Sequence, residues 1–158
     1  MYNYFQNKIN FVIAISTKIW GEMWEETRES FSDELMKKNA YELVDFYCNK
    51  IIDIYNNKPE LLKFSANYKT FLHREGATQE QYKGQIEALD SIWHLFQLKY
   101  NEAKHNKCIR TDIPEEELFS SVTVTMLSMA ERYAQGIVWA NTQNSNHCKE
   151  LIHLKEMI

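Results

Sequence analysis

One stretch of the chain, residues 114–142, reads PEEELFSSVTVTMLSMAERYAQGIVWANT and indicates the fold class most directly. Its apolar residues recur at steps of three and four, which is the period of an α-helix. They fall into two neighbouring arcs that together cover roughly two thirds of the helical wheel, whereas a surface helix shows a stripe of about 100°. The stretch therefore predicts a long helix covered on two sides, by its own core and by a partner subunit. The first arc contains Leu118, Val122, Met126, Met129, Tyr133 and Ile137.

Helix starts are marked at several places before this stretch. Asn39 with Glu42, and Thr78 with Gln81, have the spacing of a capping box, in which two side chains satisfy free N–H groups. Pro59 suits the first position of a helix, because its ring fixes a helical φ and its missing N–H is not needed there.

The ends of the predicted helices follow from the same kind of signal. The first helix is predicted to start near Lys8 and to end between residues 31 and 38. Gly76 predicts a helix stop, where a positive φ is needed, and the next helix is predicted to end near Asn106. A final short helix presents one apolar face that nothing after it covers. That face consists of Leu151, Leu154 and Ile158.

Composition agrees with an all-α domain of about six helices. Only four glycines and two prolines occur among 158 residues, whereas the two together make up roughly 12% of average proteins. Sheets need turn residues every 8–12 positions or so, and this chain does not have them. The net charge is −4 and the pI is about 5.8, which excludes a globally basic nucleic-acid-binding surface.

The spacing of the cysteines and the length of the apolar runs indicate the cellular compartment of the protein. The three cysteines Cys48, Cys108 and Cys148 are odd in number and widely spaced, which is not the pattern of a disulfide framework. No run approaches the roughly 18 apolar residues of a membrane span, and no signal peptide is apparent. We therefore expect a cytoplasmic protein with no membrane partner.

Motifs for catalysis or metal binding are sparse. Glu-x-x-His occurs twice, as Glu102 with His105 and as Glu150 with His153, and a di-iron helical bundle uses two such pairs. Both pairs lie far from the apolar stripe of their helices, so we expect solvated faces, no metal, no cofactor and no enzymatic activity. A di-iron enzyme stays the weakest alternative.

Aromatic and methionine side chains are the candidates for ligand binding. They come from five different predicted helices, and ligand pockets in helical proteins form between helices and are lined by such residues. The alternative is that they fill the core. The candidates are Trp20, Trp24, Phe46, Tyr68, Phe71, Trp93, Phe96, Met126 and Met129.

The first fifteen residues, MYNYFQNKINFVIAI, carry a family resemblance. Tyr2, Tyr4, Phe5 and Lys8 match the order and spacing found in TetR-family (tetracycline-repressor-like) regulators, where the recognition helix ends and, after a short turn, the linking helix begins. The later order of Pro59, the stretch 71–76 and the helix after residue 114 resembles the regulatory domain of that family.

The resemblance implies a fold, a ligand and a partner. Residues 1–8 would be the remnant of a DNA-binding head, and residues 9–158 an all-α effector-binding and dimerisation domain. The effector would be a small apolar or aromatic compound bound among the nine candidates above, and Tyr2, Tyr4 and Lys8 would lie near the DNA backbone when a head is present. The homodimer would form through the last two long helices. Its predicted interface residues are Leu118, Val122, Tyr133, Ile137, Leu151, Leu154 and Ile158.

One departure from the family leaves two functions open. The helix-turn-helix that would enter the major groove is not in this sequence, so we expect no specific operator binding by this chain itself. The first interpretation is a ligand-responsive transcriptional regulator whose sensing and dimerisation domain is seen here. The second is a stand-alone helical ligand-binding and dimerisation module without DNA binding.

Overall fold

The chain folds into helices, which confirms the predicted all-α class. The computed structural model describes residues 2–107, 112–138 and 147–157, and it describes the side chains of these residues except at positions 2–7, 23–34 and 84–92. Within these ranges there are six α-helices, one 3₁₀ helix and no strand. No helix in the described ranges is long and apolar enough to cross a membrane.

The helices are labelled α1 to α6 in chain order. They are α1 (Tyr2–Lys37), α2 (Ala40–Asn57), α3 (Pro59–Arg74), α4 (Lys83–His105), α5 (Glu115–Ala134) and α6 (His147–Met157). A 3₁₀ helix, Gln79–Tyr82, precedes α4.

The chain divides into two compact units. Unit 1 contains α1, the end of α3, the 3₁₀ helix and the start of α4, over residues 1–37 and 67–95. Unit 2 contains α2, the start of α3, the rest of α4, α5 and α6, over residues 38–66 and 96–158.

The predicted helix starts are confirmed at their caps. The Glu42 N–H donates to Asn39 Oδ1 at 2.9 Å and the Asn39 N–H donates to Glu42 Oε2 at 2.8 Å. The Thr78 N–H likewise donates to Gln81 Oε1 at 2.8 Å, at the start of the 3₁₀ helix. Pro59 is the first residue of α3.

The predicted start of the first helix is wrong. Helix α1 begins at Tyr2 and continues to Lys37 without interruption, so the turn expected before Lys8 is not formed. No glycine or proline lies between Tyr2 and Lys8, and nothing local therefore breaks the helix there. The boundary predicted after residue 8 falls inside one continuous helix.

The predicted end of the fifth helix is also wrong. Helix α5 ends at Ala134 rather than near Thr142, because Gly136 adopts a φ of 74°. The Gly136 N–H donates to the Tyr133 carbonyl and the Ile137 N–H donates to the Arg132 carbonyl, both at 3.0 Å. These bonds form a Schellman motif, which satisfies the last carbonyls of a helix.

The helix stop predicted at Gly76 is confirmed by the same geometry. Gly76 has a φ of 68°. The Gly76 N–H donates to the His73 carbonyl at 3.3 Å, and the Ala77 N–H donates to the Leu72 carbonyl at 3.0 Å. Helix α3 therefore ends at Arg74 as the sequence predicts.

Unit 2 is built around α2. Helix α2 packs against both α5 and α6, and these two helices also pack against each other. Leu43 of α2, Met126 and Ala130 of α5, and Leu151 of α6 are fully buried. Cys48 of α2 is buried as well, and burial raises its pKa to about 11. These three helices thus share an apolar core.

We expect the two glycine positions Gly136 and Gly21 to respond oppositely to alanine. Gly136→Ala places a Cβ at positive φ and should destabilise the fold by about 1–2 kcal/mol. Gly21 lies inside α1, and no atom lies within 4 Å of the position that a Cβ would occupy there. Gly21→Ala should therefore stabilise the fold by roughly 0.5–1 kcal/mol. Urea unfolding followed by circular dichroism measures both changes, and equal shifts would contradict the helix end described here.

Candidate functional site

Aromatic rings from three helices meet in unit 2. Phe119 of α5 lies 4.7 Å from Phe96 of α4 and 6.2 Å from Tyr47 of α2, measured between ring centroids. Tyr100 lies one turn after Phe96, with a centroid distance of 5.9 Å, and Phe46 contacts Tyr47 edge-on at 5.6 Å. We call these five residues the aromatic cluster.

The burial of the cluster changes from its centre to its edge. Phe96 and Tyr100 are fully buried, Tyr47 is buried, and Phe46 and Phe119 are half-buried. Burial raises the pKa of Tyr47 to about 12, so this hydroxyl stays neutral. The Tyr100 hydroxyl donates to the Ile113 carbonyl at 3.3 Å. The cluster is thus apolar inside, with phenol groups as its polar atoms.

The edge of the cluster at Phe46 carries positive charge. The ammonium groups of Lys50 and Lys38 lie 5.6 Å and 6.0 Å from the centroid of the Phe46 ring. These are cation–π distances, within the roughly 6 Å that such contacts require. Phe46 therefore lies between the buried rings and two lysine side chains at the edge of the cluster.

The structure divides the nine predicted ligand-binding residues between the two units. Phe46 and Phe96 belong to the aromatic cluster, and Met126 and Met129 lie on α5 of the same unit, fully buried and half-buried. Trp20, Tyr68, Phe71 and Trp93 lie in unit 1, and the side chain of Trp24 is outside the described residues.

Sequence reasoning missed three members of the cluster as site residues. Tyr47 and Tyr100 lie on apolar stripes of their helices, and Phe119 follows Leu118 in the first turns of α5. The spacing of Phe96 and Tyr100 at i and i+4 is the one available signal, since it places two rings on the same helix face.

Phe71, a ligand candidate of unit 1, is in contact with two cations. The Lys8 ammonium lies 5.1 Å and the Arg74 guanidinium 6.0 Å from its ring centroid. The Glu75 carboxylate pairs with Lys8 at 3.9 Å and with Arg74 at 3.1 Å. Lys8, predicted to lie near the DNA backbone, is thus part of an ion-pair network that connects α1 to the end of α3.

Three predicted tyrosines of unit 1 differ in whether the structure describes their side chains. Tyr68 is buried and hydrogen-bonded to the fully buried Ser16. Burial raises the pKa of Tyr68, and the Ser16 hydroxyl acts in the opposite direction. The side chains of Tyr2 and Tyr4 are outside the described residues.

Two of the predicted dimer-interface residues belong to the protomer's own core. Val122 and Leu151 are buried by their own chain, because α5 and α6 pack on α2 and on each other. Their burial within the chain leaves these two side chains little surface for a partner, and the subunit interface itself stays a prediction. Leu118, Tyr133 and Leu154 are half-buried, Ile137 is exposed beyond the end of α5, and Ile158 lies outside the described residues.

In both Glu-x-x-His motifs, the glutamate forms an ion pair with a residue other than the histidine of the motif. Glu102 pairs with Lys99 at 3.1 Å, and the Glu150 carboxylate pairs with His147, not His153, at 3.2 Å. His105 and His153 are exposed. In the described ranges, no group of three or more histidine, cysteine or acidic side chains could hold a metal ion.

A second group of titratable side chains lies where α5 ends and α6 begins. The rings of Tyr133 and His147 stack with centroids 4.5 Å apart and 18° between their planes. His147 Nδ1 lies 3.2 Å from Glu150 Oε2, and the Tyr133 hydroxyl also donates to this carboxylate. Burial, followed by the charges of Cys148 and Glu150, raises the pKa of Tyr55 of α2. We call Tyr55, Tyr133, His147 and Glu150 the junction cluster.

The junction cluster shifts the pKa values of its own members. Hydrogen bonds from Tyr133 and His147 lower the pKa of Glu150. Burial, followed by the hydrogen bond to Glu150, raises the pKa of Tyr133 to about 12. At neutral pH the cluster therefore holds one carboxylate and two neutral phenols.

No family model, no curated protein and no solved structure matches this chain. The two clusters and the exposed faces of α5 and α6 are therefore the features from which a function can be inferred.

We expect the stability of the fold to depend on the buried centre of the aromatic cluster. Phe96→Ala should destabilise the fold by about 3–5 kcal/mol, because it removes a fully buried ring and leaves a cavity. Leu98→Ala is the matched control on the same helix. Leu98 is 48% exposed, so its loss should cost well under half as much. Denaturant unfolding compares the two variants, and similar losses would show that the cluster is not the core of unit 2.

We expect Glu150 to make the stability depend on pH in the acid range. A carboxylate whose pKa is lowered in the folded state contributes stability above its ordinary pKa, and this stability is lost as the pH falls through the lowered pKa. Glu150→Gln should flatten this acid limb of a stability-against-pH curve. Glu156→Gln, at an exposed position of the same helix, should leave the limb unchanged.

Proposed function

We propose that this chain is the small-molecule-binding and dimerisation part of a ligand-responsive transcriptional regulator of TetR type. The observation that carries the proposal is the aromatic cluster, in which rings from α2, α4 and α5 converge in one unit. The TetR-like order of Tyr2, Tyr4, Phe5 and Lys8 supports the family, and the six-helix arrangement is compatible with it.

The cluster suits an apolar or aromatic effector. Tilted and edge-on ring contacts at 4.7–6.2 Å are the arrangements that aromatic rings prefer, and a planar ligand can join them in the same way. The phenol groups of Tyr47 and Tyr100 supply the few polar atoms that orient a ligand in such a site. A ligand held there would contact three helices at once.

The last two helices supply the surface for a homodimer. Val124 of α5 is 58% exposed and Met157 of α6 is 76% exposed. Ile137 and Ile152 are exposed large apolar residues of the same part of the chain. A second copy that covers these side chains would remove apolar surface from water, and a two-fold interface uses the same patch on both subunits.

A stand-alone sensing module is the second candidate, and the continuity of α1 favours it. The resemblance places a turn between the DNA-reading helix and the linking helix, whereas α1 is helical from Tyr2 to Lys37. The intact mass of the protein made by its own cell separates the two candidates. A mass of 18.9 kDa would favour the module, and a mass larger by a DNA-binding head would favour the regulator.

We expect a dimer in sedimentation at micromolar concentration. Val124→Glu combined with Ile152→Glu should give a folded monomer, because two charges in an apolar interface oppose association. Tyr41→Glu changes an exposed apolar residue of α2 in the same unit and should leave the dimer intact. A wild-type monomer would contradict the proposed dimerisation.

Ligand binding is tested by thermal shift with neutral aromatic compounds. A compound present at about 100 times its dissociation constant should stabilise the fold by roughly 2.7 kcal/mol. Phe119→Leu should weaken the shift, since it removes the ring that joins α5 to the cluster. Phe11→Leu, at an exposed position of α1, is the control. If the thermal shifts are the same in Phe119→Leu and in the wild type, the compound binds outside the aromatic cluster.

A further inference from the structure

We propose that the junction cluster is a binding site for a small organic ammonium ion. The site lies at the end of α5 and the start of α6, and none of its residues belongs to the aromatic cluster. The proposal therefore does not rest on the effector site proposed above, and it shares only Tyr133 with the predicted dimer interface. Either proposal can fail while the other holds.

The anchor of the site is the Glu150 carboxylate. His147 and the Tyr133 hydroxyl both donate to it, so its orientation is fixed before a ligand arrives. A carboxylate has about four lone-pair positions, so these two donors do not use all of them, and its negative charge stays available to attract a cation. The side chain is 34% exposed, and the carboxylate is therefore accessible from solvent.

The two side chains that donate to this carboxylate have aromatic rings that stack on each other. The stack of Tyr133 on His147 uses one face of each ring, and both residues are half-buried rather than covered. Tyr55 of α2 adds a hydroxyl whose pKa is raised first by burial and then by the charges of Cys148 and Glu150. A cation within about 6 Å of a ring face is attracted by the ring quadrupole. An ionised carboxylate beside two stacked rings is thus complementary to an ammonium ion.

Charge pairing in the described residues distinguishes Glu150 from other carboxylates. Its partner in an ion pair is the imidazole of His147, which carries charge only when protonated. Arg132, the basic residue beside Tyr133, donates from Nε to the Ile137 carbonyl at 3.0 Å. Several other carboxylates have a lysine or arginine partner. Among them are Glu22, Asp45, Glu60, Glu75 and Glu102.

The donor set favours an ammonium ion over a metal. Calcium and magnesium need several oxygen ligands, and zinc needs three or four nitrogen, sulfur or oxygen ligands from the protein. Within the described ranges no such group exists here. An ammonium ion is held by one carboxylate and by ring faces, which are the groups present.

Choline is the probe, and the control ligand is its neutral analogue, in which a carbon replaces the quaternary nitrogen. Titration of the full chain, followed by the amide resonances of residues 147–151, should show saturable shifts with choline and none with the neutral analogue. Glu150→Gln should weaken choline binding at least about tenfold, because it removes the negative charge that attracts the quaternary ammonium group. Glu156→Gln, which removes the same charge from an exposed position of α6, should leave the dissociation constant unchanged.

Three results would overturn the proposal. Equal shifts with the neutral analogue would show binding to apolar surface alone. An equal loss of affinity in the Glu156 variant would show long-range attraction to net charge rather than a site. No saturation at tens of millimolar choline would show that the cluster binds no ammonium ion. Tyr55→Leu, which keeps apolar volume and removes a ring, repeats the test if the Glu150 variant fails to fold.

Discussion

The packing of α2 against both α5 and α6 is the constraint on which the rest of unit 2 depends. One helix has to cover two others, so its buried residues extend around much of its circumference. Leu43 and Ile52 show this, because both are buried and their spacing places them on opposite sides of the helix. Tyr47, on the same face as Leu43, contacts Phe119 of α5. Lys155 of α6 reaches the polar edge of the same helix, at 2.8 Å from Asp45. A helix as short as α6, with 11 residues, is marginal alone in water, and its docking on α2 and α5 is what stabilises it.

Local signals predict the helices and several of their ends well. The capping box at Asn39 and the stop at Gly76 depend on residues three to five positions apart, and such short-range chemistry can be predicted without knowing the tertiary fold. Gly136 carries the same signal as Gly76. The apolar periodicity continues past it through Ile137, and this continuity predicts a helix end that is too late. At this position a positive-φ glycine with Schellman bonds outweighs apolar periodicity.

Which residues meet across helices could not be predicted from periodicity. Apolar stripes identify Phe96, but the ring that joins α4 to α2 belongs to Phe119, which neighbours the predicted Leu118. The helical wheel also does not separate burial within the chain from burial by a partner. It places Val122 and Leu151 on a subunit interface, yet the neighbouring helices of the same chain cover them. Both outcomes depend on crossing angles and helix register, which follow from the whole packing arrangement rather than from any single helix.

The burial of Cys48 has a practical consequence for chemical labelling. A thiol reacts as its thiolate, and this one is 2% exposed with a pKa of about 11. A maleimide reagent at neutral pH therefore meets almost no thiolate and little accessible sulfur at this position. Cys148, half-buried at the start of α6, is the more accessible of the two described cysteines. A dye attached there would report on the docking of the last helix from within the native fold.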